Sequence, residues 1–255
     1  MTDITAAADM IWGGIHTGNW FPEALQGKLE LDAALRVQLD ILGRKVAGGA
    51  TQGGWKIGLT SERVRARYGT EARPFGHLMA GDMYATGAEV SLARFPHAAI
   101  EPELCLVIGQ TLQGGGITPQ QARAAVRGLC PGYELNQDRA RGVKDFPLAV
   151  ADNLSQWGIV TGEEVPLDDA FDPAGLRVTL ARDGEQVSEA IGRDVIDDHF
   201  LSLSILANTL AEYGLRLEAG MRVITGSFSK HEVAAGQSWE AEFHGIGKVR
   251  VSFKD

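Results

Sequence analysis

The sequence contains few cysteines and lacks any long apolar run. Cys105 and Cys130 are too few for a disulfide scaffold or a zinc–thiolate site, and both lie in apolar stretches typical of small core residues. No apolar run approaches the ~18 residues that a spanning helix needs. The segment from Met1 to Ile4 does not combine a basic region with an apolar one, as a secretory signal would. We therefore expect a soluble, cytoplasmic protein with no membrane partner.

Basic residues are also scarce. Lys and Arg number 24 against 33 Asp and Glu, which gives a formal net charge of −9. Because this charge repels phosphate backbones, the composition argues against a nucleic-acid partner. An anionic small molecule would have to be held by a local cation rather than by the overall field, and this favours a metal. The 255 residues allow one large domain or a domain with a small appendage.

Two glutamates stand at the mouth of an apolar strand that runs from Ile100 to Gly109. Because side chains alternate along a strand, one face carries Glu101, Glu103, Cys105 and Val107, and the other carries Pro102, Leu104, Leu106 and Ile108. Both faces are apolar after Glu103, as in a strand covered on both sides. The two carboxylates would then point the same way, roughly 6–7 Å apart.

Like charges in that position repel, and burial adds several kcal/mol or so per unpaired ion. A hard divalent cation such as Mg²⁺ or Mn²⁺ would relieve both costs, since these ions prefer carboxylate oxygen. The alternatives are a solvated strand end or ion pairs with Arg or Lys.

The chain divides by composition into a helical N-terminal cap region, 1–52, and a β-rich catalytic domain, 53–255. In the first part, Asp32 is expected to cap a helix that ends at Gly48, with an apolar stripe at Leu35, Leu39, Leu42 and Val46. In the second part, Asp183-Gly184 predicts a hairpin turn. Strands and helices do not alternate regularly, so the fold class is α+β.

A third glutamate, Glu134, follows a helix that is predicted to start at Thr118. Thr118, Pro119 and Gln121 form the start signal, and the apolar face extends to Leu129. If this helix returns the chain antiparallel to the Glu101–Glu103 strand, three carboxylates converge, as an octahedral Mg²⁺ site requires. A second long helix is predicted from Val195 to Tyr213.

Seven short motifs in a shared order give the chain a resemblance to a known family. It resembles the fumarylacetoacetate hydrolase superfamily from about Gly53 to Phe253, and within it the branch of 2-keto-4-pentenoate hydratase and 4-oxalocrotonate decarboxylase. The motifs are Gly54–Ser61, Phe75–Leu78, Asp82-Met83, Glu101-x-Glu103, Glu134 with Arg139, Ala151–Ser155, and Thr225-Gly226-Ser227.

The resemblance implies a β-roll of mixed strands like the fumarylacetoacetate hydrolase C-terminal domain, with a helical N-terminal cap. It assigns Glu101, Glu103 and Glu134 to the metal, which would be Mg²⁺ or Mn²⁺. It assigns Lys56 and Asp82 to polar catalytic positions beside that metal. The substrate side of the site would be formed by Leu59, Ser155, Thr225, Gly226 and Ser227.

Two departures from the family pattern affect the site. Gly81 adds a residue between Leu78 and Asp82, which puts the placement of Asp82 in question. A polar segment, Asn136-Gln137-Asp138, follows the third glutamate where the family has a more apolar one. His77 is not a family residue, and two interpretations stay open for it: a core or surface histidine, or a contact to a substrate carboxylate.

The resemblance implies a metal-dependent lyase that acts on 2-oxo or 2-hydroxydienoic acids from the meta-cleavage breakdown of aromatics. The expected reaction is addition of water to a 2-hydroxy-2,4-dienoate, which gives a 4-hydroxy-2-oxo acid. Lys56 would stabilise the enolate or move a proton, with a pKa lowered by burial. Decarboxylation of a 4-oxalocrotonate-type acid remains an alternative, as does carbon–carbon hydrolysis of an acylpyruvate, for which His16 would need an acidic partner. A non-catalytic Ca²⁺ site is a third possibility. We also expect a homo-oligomer.

Overall fold

The computed structural model describes residues 3–95 and 97–255. Met1 and Thr2, part of the segment used to argue against a secretory signal, lie outside this range. Helices alternate irregularly with short strands along the chain, which confirms the predicted α+β class. The helices are α1 (Ile4–Thr17), α2 (Leu31–Ala47), α3 (Glu62–Tyr68), α4 (Pro119–Ala124), α5 (Phe146–Ala151), α6 (Gly192–Val195) and α7 (His199–Glu212).

Fourteen strands in the described residues form two sheets. Their bounds are β1 (Gln52–Ile57), β2 (Phe75–Met79), β3 (Met83–Ala85), β4 (Ala88–Ser91), β5 (Ala98–Ile108), β6 (Val126–Gln137), β7 (Gln156–Thr161), β8 (Val165–Pro166), β9 (Arg177–Arg182), β10 (Glu185–Ile191), β11 (Arg222–Ser227), β12 (His231–Glu232), β13 (Ser238–Phe243) and β14 (Gly247–Lys254).

The larger sheet has the strand order β2-β1-β11-β5-β6-β7-β3, with β12 paired to β5 and β8 paired to β6. Most of its pairs are antiparallel, but β1 runs parallel to β11 and β3 runs parallel to β7. The smaller sheet has the order β10-β9-β13-β14-β4. The β9–β10 turn at Asp183-Gly184 confirms the predicted hairpin.

Strand β5 is buried on both faces, as predicted. Leu104, Leu106 and Ile108 belong to the main core, which also includes residues of α1 and α2. Cys105 and Val107 belong to a separate small cluster inside the roll, together with Leu78, Cys130, Ile159 and Ile224. The predicted alternation therefore assigns the side chains of the two β5 faces correctly to two separate apolar clusters.

The N-terminal helices pack on the same core as the sheet, and they differ in detail from the prediction. Helix α2 begins after Glu30, so the predicted Asp32 cap is wrong; Asp32 lies in the first turn and its carboxylate contacts Arg36 and Tyr213. Val46 is 48% exposed and does not join the buried face. Gly48 ends the helix as expected. The boundary between the N-terminal cap region and the β-rich domain, placed between residues 52 and 53, stays a prediction.

The helix that starts at Thr118 is shorter than its apolar pattern indicates. Thr118 and Gln121 form the predicted capping box, but the helix ends at Ala124 and strand β6 starts at Val126. Pairing with β5 outweighs local helix propensity there, because β6 lies beside β5 along eleven paired positions. The helix predicted from about Val195 to Tyr213 is present as α7, which begins four residues later at His199; Val195 ends the short helix α6. In residues 3–95 and 97–255 we find no helix with the length and apolarity to cross a membrane.

Close packing of β1 against β11 makes a specific stability prediction. A Cβ built on Gly54 would overlap the carbonyl oxygen of Arg222 on β11, whereas one on Gly43 in α2 meets nothing. Gly54→Ala should lower the free energy of unfolding by about 2–4 kcal/mol, since the strands must separate. Gly43→Ala should raise it by about 0.5–1 kcal/mol, because alanine favours the helix. Urea unfolding measures both, and an unchanged Gly54→Ala midpoint would contradict the packing argument.

Candidate metal centre

Three glutamates meet at the mouth of the roll. In the β5–β6 ladder Glu101 lies directly opposite Glu134, and Glu103 lies two residues further along the same face of β5. One carboxylate oxygen of each lies within 4.8 Å of the others. Glu103 and Glu134 are 2% and 0% exposed, while Glu101 is partly exposed. The predicted convergence is therefore present, but an antiparallel strand brings Glu134 back rather than a helix.

Two lysines contact this cluster. Lys56 on β1 is buried, and its Nζ donates to both carboxylate oxygens of Glu134 at 2.6 and 2.7 Å. Lys230, after β11, has its Nζ 3.0 Å from Glu101 Oε1 and also donates to Asn136 Oδ1 at 2.8 Å. Three carboxylates against two ammonium groups leave a formal charge of −1.

Burial controls the proton affinities in the cluster. Burial, together with the charge of Glu134, raises the pKa of Glu103 well above its usual range, although Lys56 acts in the opposite direction. Burial alone would lower the pKa of Lys56, but attraction from Glu134, Glu101 and Glu103 outweighs it and the pKa is raised. The carboxylates alone therefore favour protonated Lys56; a pKa lowered by burial beside a metal stays a prediction.

The donor set fits a hard divalent cation. Two buried carboxylates and a third at the rim offer anionic oxygen, the ligand type that Mg²⁺, Mn²⁺ and Ca²⁺ prefer. Burial destabilises the charged form of Glu103, so the cluster is short of positive charge even with Lys56 in place.

Gly226 orients one of these carboxylates. Its N–H donates to Glu103 Oε2 at 2.7 Å. The residue has φ = 122°, and a Cβ there would overlap the hydroxyl of Thr60. Only glycine fits this backbone position, so Gly226 acts through its N–H and its small size.

Thr225 does not belong to the substrate side of the site. It is fully buried, and its hydroxyl donates to the carbonyl of Leu104 at 2.8 Å. His199 Nδ1 lies 2.7 Å from the same oxygen, and burial lowers the pKa of His199 to about 4. Since the Thr225 proton goes to Leu104, the neutral imidazole donates its Nδ1–H to Thr225. Alternation on β11 explains the difference: Thr225 faces α7, away from the cavity.

A cavity of about 690 Å³ opens over the carboxylates; we call it the metal cavity. Of the predicted residues, it is lined by Lys56, Leu59, Glu101, Glu103, Ser155, Gly226 and Ser227. The polar segment Asn136-Gln137-Asp138 lines it too. Asn136 Nδ2 donates to Glu134 Oε1 at 3.0 Å, a contact that the i, i+2 spacing on one strand could have indicated. The sequence analysis did not predict that Lys230 and Arg67 line the cavity. No local sequence pattern indicates that a basic residue in a loop or helix faces a distant strand.

Left-handed backbone concentrates at this cavity. Asn153, Leu154 and Ser155 have φ values of 55°, 53° and 59°, and Leu59 has 53°. Such conformations cost of order 1–3 kcal/mol each outside glycine and persist only where surrounding contacts hold them. The side chain of Asn153 supplies such contacts, accepting from His77 N at 2.8 Å and donating to His77 O at 3.1 Å.

Asp82 is not brought to the metal cavity. It ends a 3₁₀ turn, Ala80–Asp82, and lines a different cavity, where its charge interacts with Lys45 and Arg94. Gly81 is the additional residue in this turn. His77 lines the same second cavity and is 1% exposed, so it is a buried histidine away from the carboxylates. His16 is at the end of α1, where its ring packs edge-on against Trp12.

A family model described as fumarylacetoacetate (FAA) hydrolase C-terminal matches residues 61–254. The chain belongs to the fumarylacetoacetate hydrolase family. This confirms the predicted superfamily and its β-roll. The matched segment contains the three glutamates, whereas Lys56 lies just before it.

Relatives with known names fall in the branch that the motifs indicated. The chain is 32% identical over 222 residues to 4-oxalocrotonate decarboxylase from Pseudomonas sp. (strain CF600), covering 86% of this chain and 84% of the relative. It is 30% identical over 205 residues to 2-keto-4-pentenoate hydratase from Burkholderia vietnamiensis, covering 79% and 78%.

A solved structure is similar over almost the full length. It is 4-oxalocrotonate decarboxylase from Pseudomonas putida G7 complexed with magnesium and adipate. The TM-score is 0.88 at 30% identity, and the match covers 98% of this chain and 97% of that one.

The position of Thr225 makes a prediction about stability. Thr225→Val keeps the shape but leaves the Leu104 carbonyl and the His199 Nδ1–H without their partner, which should cost about 2–5 kcal/mol. Thr225→Ser keeps the hydroxyl and loses one methyl, for about 1 kcal/mol. Chemical unfolding of both variants tests this. Equal losses in the two variants would show that the hydroxyl does not matter.

Proposed function

We propose that this chain is a metal-dependent lyase that adds water to a 2-hydroxy-2,4-dienoate and yields a 4-hydroxy-2-oxo acid. The observation that carries the proposal is the meeting of Glu101, Glu103 and Glu134 beside a buried Lys56 at the base of an open cavity. Membership in the fumarylacetoacetate hydrolase family and the hydratases among its relatives support it.

The three glutamates would hold the metal, with Mg²⁺ or Mn²⁺ as the expected ion. Magnesium is the ion in the similar decarboxylase structure. When bound, a divalent cation supplies Lewis-acid polarisation of the substrate's 2-oxygen and a seat for its carboxylate. Gly226 keeps Glu103 aimed into the cluster, and Asn136 does the same for Glu134.

Lys56 is the catalytic candidate among the charged residues. Its ammonium group donates to both oxygens of Glu134, which gives it a defined position. A positive charge held there would stabilise the developing 2-oxyanion and could deliver or hold a proton at that oxygen. Asp82 has no part in this proposal, because it lines the other cavity.

Hydration also needs a water near the distal double bond. Ser155, Ser227 and Asp138 line the same cavity and can position one. The Ser227 hydroxyl donates to the Ser229 carbonyl at 2.7 Å, so its oxygen remains an acceptor for such a water. Ser155 belongs to the strained run Asn153–Ser155, which the hydrogen bond from His77 N to the Asn153 side chain holds in place.

Decarboxylation of a 4-oxalocrotonate-type dicarboxylate is the second candidate. The decarboxylase from strain CF600 supports it, as does the similar solved structure. Within the site, Lys230 and Arg67 line the cavity and could receive a second carboxylate, although Asp138 and Glu232 line it as well. Stabilising an oxyanion at position 2 serves either reaction.

Carbon–carbon hydrolysis has less support. No histidine of the described residues lines the metal cavity, and His16 packs against Trp12 instead of an acid near the cluster. The cytoplasmic location and the homo-oligomer remain predictions.

Metal binding can be tested without an activity assay. Glu103→Gln keeps an acceptor for the Gly226 N–H but removes one ligand charge, so Mg²⁺ and Mn²⁺ affinity by isothermal titration calorimetry should fall at least about 100-fold. Glu232→Gln is the matched control, since Glu232 lines the cavity outside the cluster, and its affinity should stay within about twofold. Unchanged affinity in Glu103→Gln would disprove the assignment.

Product analysis decides the reaction. Freshly generated 2-hydroxypenta-2,4-dienoate should lose its diene absorbance and gain the mass of one water, without release of CO₂ and only with Mg²⁺ or Mn²⁺ present. Release of CO₂ from 4-oxalocrotonate with the dienoate untouched would favour the second candidate. Cleavage of an acylpyruvate into two acids would overturn both.

A further inference from the structure

A second cavity of about 230 Å³ lies between the N-terminal helices and the sheet; we call it the cap cavity. Its volume equals that of roughly seven or eight waters at ~30 Å³ each. One part of its wall is apolar and aromatic, and another part is charged. The apolar part includes Ile11, Ile41, Trp20 and Trp157.

The charged part carries a net positive charge. Lys45, Arg94 and Arg139 line it against Asp82 and Asp152, and His77 is held neutral because burial, together with Lys45 and Arg139, keeps its pKa well below its usual range. The formal sum is +1. Arg94 is exposed, and Lys45 and Asp82 are partly buried, so the cavity is open on its charged side. A partly enclosed site with one excess positive charge and apolar walls suits a monoanion with an apolar body.

His77 fixes the position of Lys45 in this wall. Lys45 Nζ lies 3.0 Å from His77 Nε2, and an ammonium group can only donate, so Nε2 accepts and Nδ1 carries the proton. His77 is 1% exposed, and its Nδ1 has no partner among the described residues. Nδ1 is itself buried, so a ligand does not reach it; His77 acts on the cavity through Nε2, which holds Lys45 in place.

Arg139 is less available to a ligand. Its guanidinium donates to Asp152 Oδ1 at 3.1 Å and to Gln137, and it lies over the ring of Trp20 at 4.3 Å. It therefore fixes the wall, and Lys45 is the group that can receive an anion.

We propose that the cap cavity binds a small monocarboxylic acid, with its carboxylate on Lys45, which His77 Nε2 orients, and its apolar body between Trp20 and Trp157. This site is separate from the metal cavity. The strained segment divides them: Asp152 and Asn153 line the cap cavity, and Leu154 and Ser155 line the metal cavity.

Benzoate is a suitable probe, and calorimetry on the full chain is the test. Benzoate should bind saturably at one site per chain, and benzamide, which has the same shape without the charge, at least tenfold more weakly. Lys45→Met should weaken benzoate binding at least tenfold. Lys56→Met, in the metal cavity, and Lys144→Met, at an exposed position, should change it by less than twofold. A crystal with 4-bromobenzoate should show bromine between Trp20 and Trp157.

Three results would overturn the proposal. The first is no saturable binding, which means that the cavity holds only water. The second is equal affinity for benzamide. The third is loss of binding in Lys56→Met but not in Lys45→Met, which places the probe in the metal cavity. Thermal unfolding of each variant checks that it is folded, and His77→Phe gives a second variant of the same site if Lys45→Met is not.

Discussion

The repulsion between two buried carboxylates is the constraint on which the mouth of the roll depends. Glu103 and Glu134 have almost no contact with solvent, and burying an unpaired ion costs several kcal/mol or so. The β5–β6 register prevents escape, because a slip by one residue would turn Cys105 and Val107 out of the interior cluster. Positive charge must therefore come to the carboxylates, and the fold brings it from several directions.

Apolar packing and charge placement depend on each other here. The alternation that directs Glu103 to the mouth directs Leu104 and Leu106 into the main core. Burial of these two side chains stabilises the register of the carboxylates by on the order of several kcal/mol. Around them Asn153–Ser155 adopt a left-handed backbone that is costly outside glycine, and Gly226 adopts a conformation that only glycine fits. The conformation of Asn153–Ser155 persists because two hydrogen bonds between the Asn153 side chain and the backbone of His77 hold it against the sheet.

Sequence reasoning was correct where a signal is local. The two faces of β5, the capping box at Thr118 and the hairpin at Asp183-Gly184 follow from periodicity and turn chemistry. It was wrong where pairing with a distant strand decides: the apolar pattern up to Leu129 continues as β6, not as helix. Asp82 and Thr225 lie outside the metal cavity, because a motif names residues without stating which side of the sheet their side chains reach.

The sequence by itself determined the family, the fold class and the shared face of Glu101 and Glu103, since these rest on motif order and on the two-residue period of a strand. Tertiary structure alone decided which charges meet them. Lys56 is 78 residues from Glu134 in the chain, and only the order of strands β1, β11, β5 and β6 puts them in contact. The strand order depends on the free energy of the whole packed sheet, and no local sequence pattern encodes that order.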